Sequence, residues 1–220
     1  METSRRTGTL LIKITGELLD SPKILRFIEK MRSQADEVVV LVGGGAQINE
    51  ELTAQFPTYR MVKRLGGRYH GNLDPRVKTE MDRIAYRVLI QNRKEFATRL
   101  AAAGIDDVVV MIPVLSDKAG VLCHVDGDLY ATVVCCNGYD EVIIVTYDEA
   151  TKAAKLAALK PWFDEYPGKF TVLSPADITA ILAAPTTPTT TALPQKPPAS
   201  RRIRRQPVVR RKATPAAPVS

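Results

Sequence analysis

The chain has 220 residues, with 31 Lys and Arg against 24 Asp and Glu and a formal net charge of +7. That length suits one α/β domain with a proper core, and no run approaches the roughly 20 apolar residues of a membrane-spanning helix. Three cysteines, Cys123 and the adjacent Cys135 and Cys136, make neither a disulfide framework nor a C-x-x-C pair. A reducing, cytoplasmic setting is the expectation, and the polar N-terminus carries no apolar signal segment.

The charge is concentrated at one end. From Pro185 to Ser220 there are eight Lys or Arg, in runs such as Arg201-Arg202 and Arg210-Arg211-Lys212, and no acid. The 184 residues before it carry 23 basic and 24 acidic side chains. The expected organisation is therefore an α/β domain over residues 1–184 and a Pro/Thr/Arg-rich basic tail over 185–220. The tail has too few large apolar residues to offset its ordering entropy and reads as disordered. It lacks interleaved aromatics, so base stacking is not expected, but it suits non-specific attraction to a polyanion.

After a polar leader of seven residues, the apolar run Thr9 to Ile14 reads as a buried strand that ends at Thr15-Gly16. Ser21-Pro22 then opens a helix with the apolar stripe Ile24, Leu25, Phe27, Ile28 and Met31. Glu37 to Val42 is apolar almost throughout, as in a parallel strand covered on both faces. It ends at Gly43-Gly44-Gly45 and leads into a short helix that finishes near Phe56-Pro57. Residues 57–75 form a glycine- and base-rich loop, and loops of that length are often functional. Arg76 to Ala103 is the longest helical pattern, closed by Gly104. Asp107 to Leu115 reads as a strand interrupted by Pro113, Gly120 to His124 as a short strand, and Asp128 to Cys136 as a small-residue helix. Glu141 to Thr146 is a strand, Asp148 to Leu159 a helix stopped by Pro161, Lys169 to Leu173 a strand, and Ser174 caps a last helix to about Ala183. This alternation predicts a three-layer αβα sandwich with a mostly parallel central sheet.

Lys13 is out of place in a buried strand. It stands near the C-terminal end, the edge at which open α/β sheets bind ligands. Two glycine turns that each lead into a helix N-terminus can offer backbone N–H groups to phosphate, and a lysine between them can neutralise a phosphoryl group. Each feature also has a plain structural explanation. Lys13 can be a strand-end lysine reaching water, Gly43–Gly45 a tight connection, Arg76 a surface residue and Asp128 a helix cap. The cysteines read as small buried hydrophobes and Trp162 as packing at the end of the sheet. His70 and His124 have no partners at zinc spacing, so no metal held by protein ligands alone is expected.

Three blocks carry a family resemblance. Lys13-Ile14-Thr15-Gly16-Glu17 resembles the K-x-S-G-E block of uridylate kinases. Val40-Leu41-Val42-Gly43-Gly44-Gly45-Ala46-Gln47-Ile48-Asn49 resembles the V-H-G-G-G-P-Q-I-N block of acetylglutamate kinases, and Arg76-Val77-Lys78-Thr79 resembles the R-V-T block of the same enzymes. A weaker fourth block, His124-Val125-Asp126-Gly127-Asp128, stands where N-x-N-x-D would be, with Asp126 in place of an asparagine. Order and spacing agree from residue 9 to about 146, so the chain resembles the amino acid kinase family, shortened in the nucleotide-binding half.

The resemblance implies transfer of the ATP γ-phosphoryl group to a carboxylate or phosphate acceptor, with Mg²⁺ arriving on the nucleotide and no covalent enzyme intermediate. It implies that Lys13 clamps the transferring group and that Asp128 orients the lysines. Gly43, Gly44 and Gly45 would bind the small anionic acceptor with Arg76 holding its charge, and Gly16, Thr15 and Thr146 would contact phosphate. No G-M-x-x-K block supplies the second phosphate lysine, and after Thr146 stands Tyr147-Asp148-Glu149 rather than D-V-x-G. Lys152, Lys155 and Lys160 are the nearby candidates. The resemblance also implies a homo-oligomer. Two other readings are a non-catalytic protein that binds an anionic small molecule, and a scaffold whose basic tail binds polyanions. A lysine between 152 and 160 facing Lys13 favours the kinase.

Overall fold

The computed structural model describes residues 8–58, 62–64, 67–69, 75–117, 120–124, 126–134 and 137–184. The chain divides into two units, Met1–Thr187 and Pro188–Ser220, and every described residue belongs to the first. The tail, His70, Cys135 and Cys136 lie outside the described residues.

In chain order the elements are β1 (Thr9–Ile14), a 3-10 turn (Gly16–Leu18), α1 (Pro22–Arg32), β2 (Glu37–Val42) and α2 (Gly45–Gln55). Two short strands, β3 (Val62–Arg64) and β4 (Gly67–Tyr69), precede the long α3 (Pro75–Ala102). Then come β5 (Val109–Met111), β6 (Val114–Asp117), β7 (Gly120–His124) and α4 (Gly127–Leu129), which runs into a π-helical turn (Tyr130–Val134). The chain continues with β8 (Glu141–Val145), α5 (Glu149–Glu165), β9 (Phe170–Leu173) and α6 (Pro175–Ala183).

Five parallel strands form the central sheet in the order β5-β2-β1-β8-β9. Strand alternation separates two cores. Ile12, Ile14, Val40, Val42 and Val145 face one side, where they meet Phe27 of α1, Leu89 and Phe96 of α3 and Ile178 of α6. Leu11, Leu41, Val142 and Ile144 face the other, against Tyr130, Ala131 and Leu159. Because both faces of β1 and β2 are covered, their sequences read as unbroken apolar runs. The result is the expected three-layer α/β sandwich, with an all-parallel central sheet.

Several local expectations need correction. Proline 113 divides the predicted Asp107–Leu115 strand in two. Its first part joins the sheet as β5, while β6 turns away to pair antiparallel with β7. The Val114 N–H closes this corner on the Ile112 carbonyl at 2.9 Å. Part of the 57–75 loop is a small antiparallel pair, β3 with β4. Pro161 does not stop α5, which runs on to Glu165. The missing N–H costs one helical hydrogen bond, but Trp162 and Phe163 beyond it pack against the second core, and Phe163 stacks on Phe170 at 5.5 Å. Over its described residues, 128–134, the predicted helix is a single α turn followed by the π turn. Here the Thr132 hydroxyl donates to the Asp128 carbonyl at 2.9 Å, a bond that competes with the regular ladder. Ser21 holds the cap position of α1 without a side-chain bond, whereas Ser174 forms a full capping box with Asp177 at α6.

Candidate functional site

Strand β1 has β2 on one side and β8 on the other, so the strand order reverses around it. This is the switch point at whose carboxyl end open α/β sheets form a crevice. Lys13 is the penultimate residue of β1 and pairs in register with Leu41 and Ile144. It shares its face with Leu11 and lies between those two apolar side chains, so only 6% of it is exposed. Burial lowers its ammonium pKa from 10.5 to about 8, opposed by the nearby Asp126 and Glu17 carboxylates.

The counter-charge comes from α4. Asp128 Oδ1 stands 2.7 Å from Lys13 Nζ as a buried ion pair, without the alignment of a hydrogen bond. The other oxygen, Oδ2, takes a hydrogen bond from Lys155 of α5. One carboxylate therefore bridges two lysines from opposite halves of the chain. Asp126 is the helix cap, accepting from the N–H groups of Asp128 at 3.0 Å and Leu129 at 3.3 Å, which frees Asp128 from that role. Between them, Gly127 lets the lysine pass: a β-carbon there would come within 3.2 Å of Lys13 Cε.

The two glycine turns are tied to each other and to α3. Gly43 N–H donates to the Ile14 carbonyl at 2.8 Å, and Gln47 Nε2 donates to the Gly16 carbonyl at 3.0 Å. A β-carbon on Gly16 would run into the Gln47 amide, and one on Gly43 would lie 3.2 Å from the Ile14 carbonyl oxygen. Asn92, buried in the middle of α3, donates from Nδ2 to the Gly43 carbonyl at 2.8 Å.

These parts surround a cleft of about 390 Å³. Lys13 and Lys155, with the carboxylates of Glu17, Asp126 and Asp128, form its charged side. Thr15, Gly16 and the Gly43–Gly45 turn form another, and Thr146, Tyr147 and Thr151 line the start of α5. Of the residues singled out in the sequence, the structure thus brings together Lys13, Thr15, Gly16, Gly43, Gly44, Gly45, Asp128, Thr146 and Lys155. Arg76 stands exposed in the first turn of α3 and is not part of the cleft lining. Lys152 turns toward α6, where its ammonium meets the Asp177 carboxylate at 2.6 Å. That bond raises the Lys152 pKa and lowers that of Asp177, so Lys152 is engaged in holding the cap of α6. A second hollow, about 520 Å³, lies at the opposite edge of the sheet beside Glu37 and Val108. Its arginine, Arg32, is paired with Asp107 at the surface.

One participant, Asn92, escaped sequence reading, and Lys155 stood there undivided from Lys152 and Lys160. Asn92 had a signal: it falls on the buried stripe with Val88, Leu89 and Phe96, where a polar residue needs a partner. Lys155 also had one. It shares a helical stripe with Thr151 and the buried Leu159 at spacings of four, whereas Lys152 sits off that stripe.

No family model and no curated protein matches the chain. Its fold is similar to the crystal structure of smu.665 from Streptococcus mutans UA159, with a TM-score of 0.55. The likeness covers 76% of this chain and 94% of that one at 14% identity, and at that identity it concerns the fold alone.

Proposed function

We propose that the protein is a small-molecule kinase that moves the γ-phosphoryl group of MgATP to a carboxylate or phosphate oxygen. The observation that carries this reading is the Lys13–Asp128–Lys155 bridge in a cleft that also holds both glycine turns. Phosphoryl transfer asks little covalent chemistry of a protein. It asks that donor and acceptor be held in line and that the charge on the equatorial oxygens be neutralised.

The two ammonium groups supply that neutralisation, and Asp128 holds them at a fixed separation. The acceptor oxygen forms its bond to the γ-phosphorus as the bond to the bridging oxygen breaks, and ADP leaves with the electron pair. The Gly43–Gly45 turn and the Gly16 turn hold phosphate or acceptor oxygens by their backbone N–H groups. Mg²⁺ enters on the nucleotide phosphates. Lys155, held beside Lys13 on the same carboxylate and lining the cleft, is the feature that favours this reading over a simple anion binder.

The test is ADP release from MgATP with panels of carboxylate and phosphomonoester acceptors. The reading predicts acceptor-dependent turnover that Lys13→Met and Lys155→Met each reduce by about a thousandfold or more. Anion binding with no turnover on any acceptor would favour the non-catalytic binder instead.

A further inference from the structure

Asn92 makes a bond that packing does not require. Asparagine is a poor residue for the middle of a helix, and burying its amide among Val88, Leu89 and Phe96 is costly unless the amide is paired. Its Nδ2 donates across 49 residues of sequence to the Gly43 carbonyl at 2.8 Å. The same nitrogen stands only 3.0 Å from where a β-carbon of Gly44 would be, so glycine is needed there for the close approach.

The geometry of the peptide gives this bond a consequence. The Gly43 carbonyl and the Gly44 N–H belong to one planar trans unit and point in opposite directions. Drawing the carbonyl toward α3 therefore turns the Gly44 N–H away from α3. The Gly44 N–H meets no acceptor among the described residues, although the Gly44 carbonyl accepts from Ile48 at 2.9 Å. Gly44 lines the cleft and caps the N-terminus of α2, an 11-residue helix whose dipole favours an anion at that end.

We propose that Asn92 is a positioning residue that fixes the Gly43–Gly44 peptide so that the Gly44 N–H faces a phosphate or carboxylate oxygen of the ligand. The proposal rests on the reading of the cleft as a phosphate site and adds a residue outside the cleft lining to it. Asn92 touches no ligand and acts through one peptide.

The experiment uses the full chain labelled with ¹⁵N-glycine, titrated with magnesium pyrophosphate and then with MgATP. In the wild type the Gly44 amide resonance is expected to move to saturation. In Asn92→Leu, at a temperature well below its Tm, the Gly44 shift is expected to be lost and pyrophosphate affinity to fall about tenfold or more. Asn92→Asp is nearly isosteric and sets a carboxylate against the carbonyl. It should behave alike and serves if the leucine variant does not fold. A purely structural Asn92 would lower Tm and leave both the shift and the affinity in place, which would overturn the positioning role alone. Failure of the wild type to respond to either ligand would overturn the phosphate-site reading together with it.

Discussion

Lys13 Nζ lies 2.7 Å from Asp128 Oδ1, and both side chains are almost wholly buried. The lysine arrives from the central strand and the carboxylate from a short helical turn more than a hundred residues later. The ammonium is costly to bury in that layer without the carboxylate beside it. Asp128→Asn keeps the shape but leaves Lys13 buried without its partner, and the expected loss is about 3 kcal/mol in urea unfolding at pH 7. Lys13→Met should cost clearly less, because Asp128 keeps Lys155 and the methionine joins Leu11, Leu41 and Ile144. Equal stability of Asp128→Asn and the wild type would contradict the pairing.

The pH dependence follows from the same burial. The Lys13 pKa falls from 10.5 to about 8 on folding. Between those values the unfolded chain binds more protons than the native one, so the Lys13 contribution to stability rises with pH from about 8 to 10.5. Anion binding has the opposite sign, since it needs the protonated ammonium. Calorimetric affinity for pyrophosphate should weaken above about pH 8 in the wild type. In Lys13→Met the weak residual binding should lack that step.

The sheet was legible because burial on both faces leaves a direct trace. Thr9–Ile14 and Glu37–Val42 emerge with the expected bounds, and Ser174 caps α6 as expected. What escaped depends on helix phase or on distant partners. Pro161 looked like a stop because its local cost is visible while the packing of Trp162 and Phe163 is not. Asp128 was readable both as a cap and as the partner of the lysines, because Asp126, two residues earlier, offers the same capping chemistry, and only the fold assigns each its task. Lys152 and Lys155 are indistinguishable by composition and are separated by the stripe through Leu159.

That separation is testable. Lys155→Ala should abolish ligand binding. Lys152→Ala should leave binding unchanged and lower Tm by about 5 °C or less, since its bond to Asp177 is only partly shielded from water. A loss of ligand affinity in Lys152→Ala with binding intact in Lys155→Ala would reverse the assignment.

Gly127 lies close against the Lys13 side chain. A β-carbon 3.2 Å from Cε must push the lysine stem aside, so Gly127→Ala should reduce phosphate affinity about tenfold while shifting Tm by no more than about 3 °C. Unchanged affinity would show that the lysine adapts without leaving Asp128.

The most direct test of the central claim is isothermal calorimetry of MgATP on the full-length wild type, Lys13→Met and Lys155→Met. The account predicts saturable, Mg²⁺-dependent binding by the wild type in the micromolar range, about −8 kcal/mol, and its loss in both variants with folding retained by circular dichroism. Binding that survives in both variants, or no binding by the wild type, would contradict a nucleotide site built on the Lys13–Asp128–Lys155 bridge.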